Sequence, residues 1–385
     1  GWFYNNADVY DKLPDDIPYK IYVGEYAAIG RPSLYSSLAE AAYLTGVERN
    51  ADKVQMVSYA PLIENAAHGK DHLLVLKNDS VYGRTNYYVL KMFSENRPDV
   101  NLHTDLKPAS PEPVFRTNGF IGLGTNNTEA QFKDLKVIVN GEEIYTSGWS
   151  DFVDKWTIIR GDWKTEGSLL SQSQKGIDAL AILEDREFDN CTIELKAKKI
   201  SGTEGFRIVF GGTDSNNYFM ADIGSHTNES VIFREVNNEG SISLFDYRNT
   251  ASIKTDQWYT VRIEIEGAHW KCFLNDELQY EYTYAPKKKH YVVSGYDRER
   301  KEVIVKLVNA EAGNWKVRLQ LDKAKNLASK GTKIVLGADD RFDENSFSDP
   351  LKIVPKVTEL SGISNEFTID CQANSLTVLR IPCEK

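Results

Sequence analysis

The stretch from Lys20 to Asn65 constrains the fold of this chain more than any other. It reads Lys20-Ile-Tyr-Val-Gly-Glu25-Tyr-Ala, then an Ala-rich run, then Gln55-Met-Val-Ser-Tyr59-Ala-Pro61-Leu. Ile21 to Val23 is a short apolar strand that ends on a glutamate. Leu34, Leu38, Ala41, Ala42 and Thr45 follow at helical spacing, with Gly46 as the expected stop. Val54 to Tyr59 reads as a second buried strand, without polar/apolar alternation. Two strands of this kind joined by a helix predict a βαβ unit in a parallel sheet. A carboxylate at the carboxyl end of such a strand sits where α/β barrels place their chemistry. Glu25 is therefore the first candidate for a catalytic residue.

Composition limits the partners. The chain has 385 residues, 11% aromatic and 26% charged, with 7 Trp and 20 Tyr, enough for sizeable cores and against disorder. Its formal net charge of -10 disfavours nucleic acid and anionic membranes. A neutral polymer such as a polysaccharide fits better, since sugars are held by aromatic faces and by amide or carboxylate hydrogen bonds. No stretch is apolar enough to span a membrane. The chain opens on Gly1-Trp-Phe-Tyr without Met or a signal peptide, as expected of a processed or truncated chain. Four cysteines lie at 191, 272, 371 and 383, none in a C-x-x-C pair and none clustered with His, so no zinc site is expected. Cys191-Cys272 and Cys371-Cys383 are bridges within modules or buried free thiols; the sequence leaves both open.

Along the chain, residues 2–19 read as a loop or helix end. Residues 61–80 read as a polar loop holding His68 and His72, which are expected at the surface. Residues 81–96 return to helix period through Tyr87, Tyr88, Leu90, Met92 and Phe93, and Arg97-Pro98 stops them. Pro108, Pro111 and Pro113 mark a linker. From Val114 to about Tyr284 short alternating strands recur between Gly, Asn and Asp turns, the pattern of a β-sandwich or jelly roll. After Lys287-Lys-Lys289 the chain is again all-β, as in Val303-Ile-Val-Lys-Leu-Val-Asn and Leu376-Thr-Val-Leu-Arg-Ile. The expected fold is mainly β with a small α/β part.

The motifs add a resemblance. Ile21-Tyr-Val-Gly-Glu25-Tyr-Ala, Leu38-Ala-Glu-Ala-Ala-Tyr-Leu-Thr-Gly-Val-Glu-Arg-Asn50 and Met56-Val-Ser-Tyr-Ala-Pro-Leu62 resemble the end of the catalytic barrel of family 51 α-L-arabinofuranosidases, as do Trp2-Phe3-Tyr4-Asn5 and Tyr10-Asp11. Val305-Lys-Leu-Val-Asn309, Asp343-Glu-Asn-Ser-Phe347, Ile353-Val-Pro355 and Asn374-Ser-Leu-Thr-Val-Leu379 resemble that family's C-terminal β-sandwich. Gly119-Phe-Ile-Gly-Leu-Gly-Thr125, Trp163, Gly202-Thr-Glu-Gly-Phe206 and the Trp270 hairpin more loosely resemble a concanavalin/laminin-G-like module. The resemblance divides the chain into a (β/α)8-barrel remnant at 1–98, an inserted jelly-roll sandwich at 109–284 and a C-terminal β-sandwich at 285–385, to which 99–108 can contribute.

The resemblance also implies a chemistry. Glu25 would be the nucleophile of a retaining glycosidase that works with a second carboxylate roughly 5 Å away. Gln55 would hydrogen-bond the arabinose ring, and Tyr59 would line the pocket or pack beneath the loop. The family's acid/base is a Glu after an Asn on an earlier barrel strand. The Asn-Glu pairs here, Asn228-Glu229, Asn238-Glu239 and Asn365-Glu366, all fall in the β modules. A barrel needs eight strands and ~250 residues, so this chain alone is expected to have little activity. Glu40, Glu48 and Arg49 read as ion-pair residues of a helix face or loop. No cofactor and no catalytic metal is expected, although concanavalin-like sandwiches sometimes carry a structural Ca²⁺. The implied partner is an arabinose-containing polysaccharide or oligosaccharide, outside the cytoplasm. Unpaired barrel strands are expected to pack on the sandwich or to pair with another chain, including a second copy. The competing readings are a glycan-binding module, through a concave or edge face of the insert, and a structural spacer.

Overall fold

The computed structural model describes the chain except for residues 1, 29–31, 68–72, 108–114, 238–239, 245–250, 287, 323 and 384–385 and the side chains of 184 and 185. His68, His72, the Pro108–Pro113 linker and Lys287 therefore lie outside the described residues. Two compact units result: Gly1–Pro111 together with Lys287–Lys385, and Glu112–Pro286.

The first unit opens with the one-turn helix α1 (Trp2–Asn5). Strand β1 (Ile21–Tyr26), helix α2 (Leu34–Arg49) and strand β2 (Val54–Tyr59) follow, and β1 and β2 pair in parallel as the βαβ reading requires. Ser33 and Ser36 cap the helix reciprocally, Ser36 N donating to Ser33 Oγ at 3.4 Å and Ser33 N to Ser36 Oγ at 3.2 Å. Gly46 does not stop it. The helix continues to Arg49, and the Asn50 side chain closes it by donating to Gly46 O at 2.9 Å. The glycine serves a different need. A Cβ there would stand 2.0 Å from Ala7 O, so its missing side chain admits the backbone that follows α1.

The segment read as a polar loop is partly a small sheet. Strands β3 (Ile63–Asn65), β4 (Leu74–Lys77) and β5 (Ser80–Gly83) pair side by side before α3 (Thr85–Glu95), and β6 (Val100–Leu102) comes next. Strand β2 is also less buried than its apolar run suggested. Gln55 and Met56 are exposed, because among the described residues the parallel sheet has only two strands.

The second unit is a two-sheet antiparallel sandwich. Its strands are β7 (Asn118–Asn126), β8 (Thr128–Val139), β9 (Glu142–Ser147), β10 (Trp156–Arg160), β11 (Trp163–Glu166), β12 (Leu169–Gln172), β13 (Asp178–Asp189), β14 (Cys191–Gly202), β15 (Phe206–Asp214), β16 (Asn217–Gly224), β17 (Ser230–Asn237), β18 (Gly240–Leu244), β19 (Trp258–Glu266), β20 (His269–Leu274) and β21 (Glu277–Thr283). One sheet runs β10-β13-β7-β15-β16-β17-β18. The other runs β11-β12-β8-β14-β19-β20-β21, with β9 on β8. Alternate residues face between the sheets, such as Ile193, Leu195 and Ala197 on β14 and Phe206, Ile208 and Phe210 on β15. Trp270, fully buried there, donates its indole N–H to Thr117 Oγ1 at 2.7 Å. Cys191 and Cys272 are free and buried. Strand β19 runs between theirs, which puts the strands roughly 9–10 Å apart, beyond disulfide reach. Cys371 and Cys383 are also free and buried.

The first unit then resumes with β22 (His290–Asp297), β23 (Glu302–Asn309), β24 (Trp315–Gln320), β25 (Lys330–Gly337), β26 (Lys356–Ser361), β27 (Glu366–Cys371) and β28 (Ser375–Pro382). Six strands form the order β26-β25-β28-β23-β22-β6, and β24 pairs with β27. Strand β6, which follows α3 in the chain, closes the edge of this sheet. The larger sheet is covered on both faces. Val303, Val305 and Leu307 pack with Val317 and Ile369. Ile304 and Val308 pack with Leu38, Ala41 and Ala42 of α2 and Val89 of α3. Double coverage explains why β23 is apolar almost throughout. The same contacts cover α2 and α3, which pack on this sheet.

Candidate functional site

The candidate site lies at the carboxyl ends of β1 and β2. Register fixes what points where. Val23 pairs with Val57 and Tyr26 with Tyr59, so Gly24 and Glu25 stand opposite the single residue Ser58. This is a β-bulge, a device that re-aims side chains. Strict alternation would place Glu25 on the face of Val23, which packs on the core. The extra residue instead gives that face to Tyr26 and leaves Glu25 exposed. Tyr22 and Met56 are likewise exposed, and the Tyr22 hydroxyl lies 2.8 Å from Ser58 Oγ.

Gln55 and Tyr59 are placed differently. Gln55 lies at the amino end of β2, about 10 Å along the strand from the level of Glu25 at ~3.3 Å per residue. Its amide donates to Ala51 O at 3.4 Å. The structure does not bring Gln55 beside Glu25. Tyr59 sits near Glu25 along the strands but turns toward the core. Its ring meets Tyr26 edge-on at 5.1 Å, and its hydroxyl donates to Glu40 Oε1 at 3.1 Å. It packs against the core.

Glu40 is the residue that sequence reasoning missed. It was read as an ion-pair residue of a helix face, yet it is 1% exposed. Oε1 accepts from Ala28 N at 2.7 Å as well as from Tyr59. One carboxylate on α2 thus ties the chain leaving β1 to the end of β2. Burial pushes its carboxyl up to about 7, against the opposing bonds from Asn86, Ala28 and Tyr59. Burial, and then the nearby Glu40, also raises the Tyr26 and Tyr59 hydroxyls.

The support continues into α3 and the sandwich. Ser37 Oγ donates to Asn86 Oδ1 at 2.9 Å and lies 2.6 Å from Thr85 Oγ1. Thr85 N and Oγ1 donate to the two carboxylate oxygens of Glu344 at 2.9 and 3.0 Å. A signal for Glu40 was present in the sequence. The run Leu38-Ala-Glu-Ala-Ala-Tyr-Leu44 is apolar on every side of the helix, and a helix of that kind is buried all round.

The other two residues of that reading do form ion pairs. Arg49 Nε donates to Asp11 Oδ1 at 3.0 Å. Glu48 takes Lys306 Nζ at 2.6 Å in a pair whose lysine side chain is fully buried. Burial drives Glu48 up and Lys306 down, and their mutual attraction opposes both shifts. Among the described residues no group of three His, Cys, Asp or Glu is placed to hold a metal ion, and no helix is long and apolar enough to cross a membrane.

Comparison with known proteins gives the family. Residues 19–375 match the family model described as the α-L-arabinofuranosidase C-terminal domain. The chain belongs to that family. An extracellular exo-α-L-arabinofuranosidase of Streptomyces chartreusis is 28% identical over 387 residues, covering 99% of this chain and 46% of that protein. α-L-arabinofuranosidase 1 of Arabidopsis thaliana is 31% identical over 183 residues, 44% of this chain and 27% of that protein. The chain thus spans less than half the length of these relatives. An arabinose-bound MgGH51 α-L-arabinofuranosidase structure aligns over 100% of this chain and 35% of its own, at 16% identity and a TM-score of 0.49.

Proposed function

We propose that this chain is the C-terminal portion of a retaining α-L-arabinofuranosidase that removes terminal non-reducing arabinofuranosyl groups from arabinan or arabinoxylan. The observation that carries this reading is the bulge that turns Glu25 outward at the carboxyl end of a parallel strand, in a chain of this family. Glu25 is the nucleophile and forms the arabinosyl ester. The acid/base carboxylate, roughly 5 Å from it in the working enzyme, belongs to the length of such proteins that this chain does not span. Glu40 and Tyr59 act beneath the site, holding the strand ends at a fixed spacing. Gln55 enters only through the resemblance. The name of the Streptomyces relative supports a location outside the cytoplasm.

Hydrolysis of 4-nitrophenyl α-L-arabinofuranoside tests the reading. The chain by itself shows little turnover. In the longer protein that spans the length of the relatives, Glu25→Ala lowers kcat by about 10⁴-fold or more, the scale on which a catalytic nucleophile is lost. A Glu25→Ala enzyme that still works near the wild-type rate removes Glu25 from the mechanism.

A further inference from the structure

The second unit carries a built recess on the outer face of its seven-stranded sheet, away from the core between the sheets. It encloses about 650 Å³ and is lined by Arg160, Asp178, Glu204, Arg207, Tyr218 and Arg234, among others. That volume falls in the roughly 300–1,000 Å³ range of small-ligand sites.

The recess depends on a missing side chain. Gly124 of β7 pairs with Leu180 of β13 on one side and Arg207 of β15 on the other. A Cβ at 124 would lie 2.7 Å from Ala179 O and 3.5 Å from Arg207 Cβ. With only hydrogen there, Arg207 reaches across β7 and pairs with Asp178 on β13, two strands away. Its other edge grips Asp222, with Nε 3.2 Å from Oδ1. Arg234 Nε donates to the second oxygen of Asp222 at 2.6 Å, and its remaining nitrogens donate to Ser243 and Ser225. Arg160 Nε donates to Asp178 O at 2.8 Å, and Arg160 also bonds the Tyr218 side chain. Burial alone would raise Asp222, but the two guanidiniums hold it below the usual carboxylate range. Glu204 accepts from Asn126 Nδ2 at 3.0 Å, so every charged group in the lining has a partner before any ligand arrives.

The balance of charge selects the ligand. Arg160, Arg207 and Arg234 line the recess with Asp178 and Glu204, and the buried Asp222 beneath the lining pairs with Arg207 and Arg234, so the cluster of three guanidiniums and three carboxylates is neutral. An anion would meet carboxylates already occupying the arginines. A neutral polyol can use both signs, giving its O–H groups to the carboxylates and accepting from the guanidiniums. Met220, Val236 and the ring of Tyr218 supply apolar surface in the same lining, suited to the C–H face of a sugar. We propose that this recess binds a short segment of neutral glycan, independently of Glu25. The inference stands whether or not the catalytic reading does.

Calorimetric titration of the whole chain tests it, using neutral arabino- and xylo-oligosaccharides of two to five residues with oligogalacturonate as the anionic comparison. Binding of at least one neutral series is expected, with none of the oligogalacturonate. Arg160→Ala and Ser241→Trp, the latter placing a bulky ring on an exposed lining position, each weaken that binding at least tenfold without shifting Tm. Hydrogen exchange slows on ligand binding in peptides covering Arg207–Asp222 and not in those covering Ile21–Tyr59. No heat with either neutral series at millimolar concentration overturns the proposal. So does preference for oligogalacturonate, full affinity in both variants, or protection confined to Ile21–Tyr59.

Discussion

Glu40 is buried and held by hydrogen bonds from Ala28, Tyr59 and Asn86, none of them a cation, and that combination makes it pH-sensitive. Its carboxyl titrates at about 7 in the folded chain against an ordinary 4.5. A raised acid pKa means that the folded state holds its proton while the unfolded state has released it. Stability therefore falls as pH rises from 4.5 to 7, by on the order of 3 kcal/mol from this group at most. Tyr26, Tyr59 and Glu344 are titratable groups that act on it or on which it acts. Glu48 and Glu344 are raised as well and contribute in the same direction. Glu40→Gln keeps an oxygen for Ala28 and Tyr59 but cannot ionise. Its Tm should change less between pH 4.5 and 7 than that of the wild type. Equal slopes for the two proteins would show that Glu40 is not the titrating group.

At the scale of elements, α2 is fixed by two features that act in opposite ways. Gly46 is a close-approach residue. Gly46→Ala gains up to ~1 kcal/mol of helix propensity, but its methyl meets the Ala7 carbonyl, a backbone group with little freedom to move. We expect net destabilisation of about 1–3 kcal/mol, read as a lower urea midpoint; a rise in the midpoint would refute the steric argument. The Glu48–Lys306 pair joins the same helix to β23. Lys306→Met alone strands a buried carboxylate and should cost about 3–5 kcal/mol. The double change Glu48→Gln with Lys306→Met should recover most of that loss, because no uncompensated charge remains. Additive losses in urea titrations would mean the two side chains are not coupled.

At the scale of the molecule, the division into two units is a division of cores. Among the described residues, the two apolar clusters of the second unit draw on residues from Phe115 to Tyr284. The first unit's clusters join residues from both ends of the chain, such as Leu38 with Val308 and Leu102 with Val305. The segment Glu112–Pro286 expressed alone should therefore unfold in one cooperative thermal transition. Residues 1–111 alone should not, since α2 and α3 would lose the sheet that covers them. Circular dichroism melts of the two fragments distinguish these outcomes, and a broad, non-cooperative melt of 112–286 would count against a self-sufficient second unit.

Local pattern determined much of this protein. Period-2 alternation gave the sandwich strands, and continuous apolar runs gave the parallel pair and β23. Glu25 stood out because a strand ending on a carboxylate can be read from neighbouring residues. Collinear motifs gave the family. The rest depended on contacts between residues distant in sequence. Whether Gly46 stops a helix or admits a backbone depends on Ala7, 39 residues away. The burial of Glu40 was visible as an apolar surround, but its role needed Ala28 and Tyr59 to converge on it. The outward turn of Glu25 came from a register slip between two strands, which no single strand encodes. The recess over Gly124 required five strands of one sheet, and Glu204 just ahead of β15, to place three arginines against three carboxylates. Sequence fixes what each residue can do locally, whereas pairing and packing between separated segments decide which of those capacities meet.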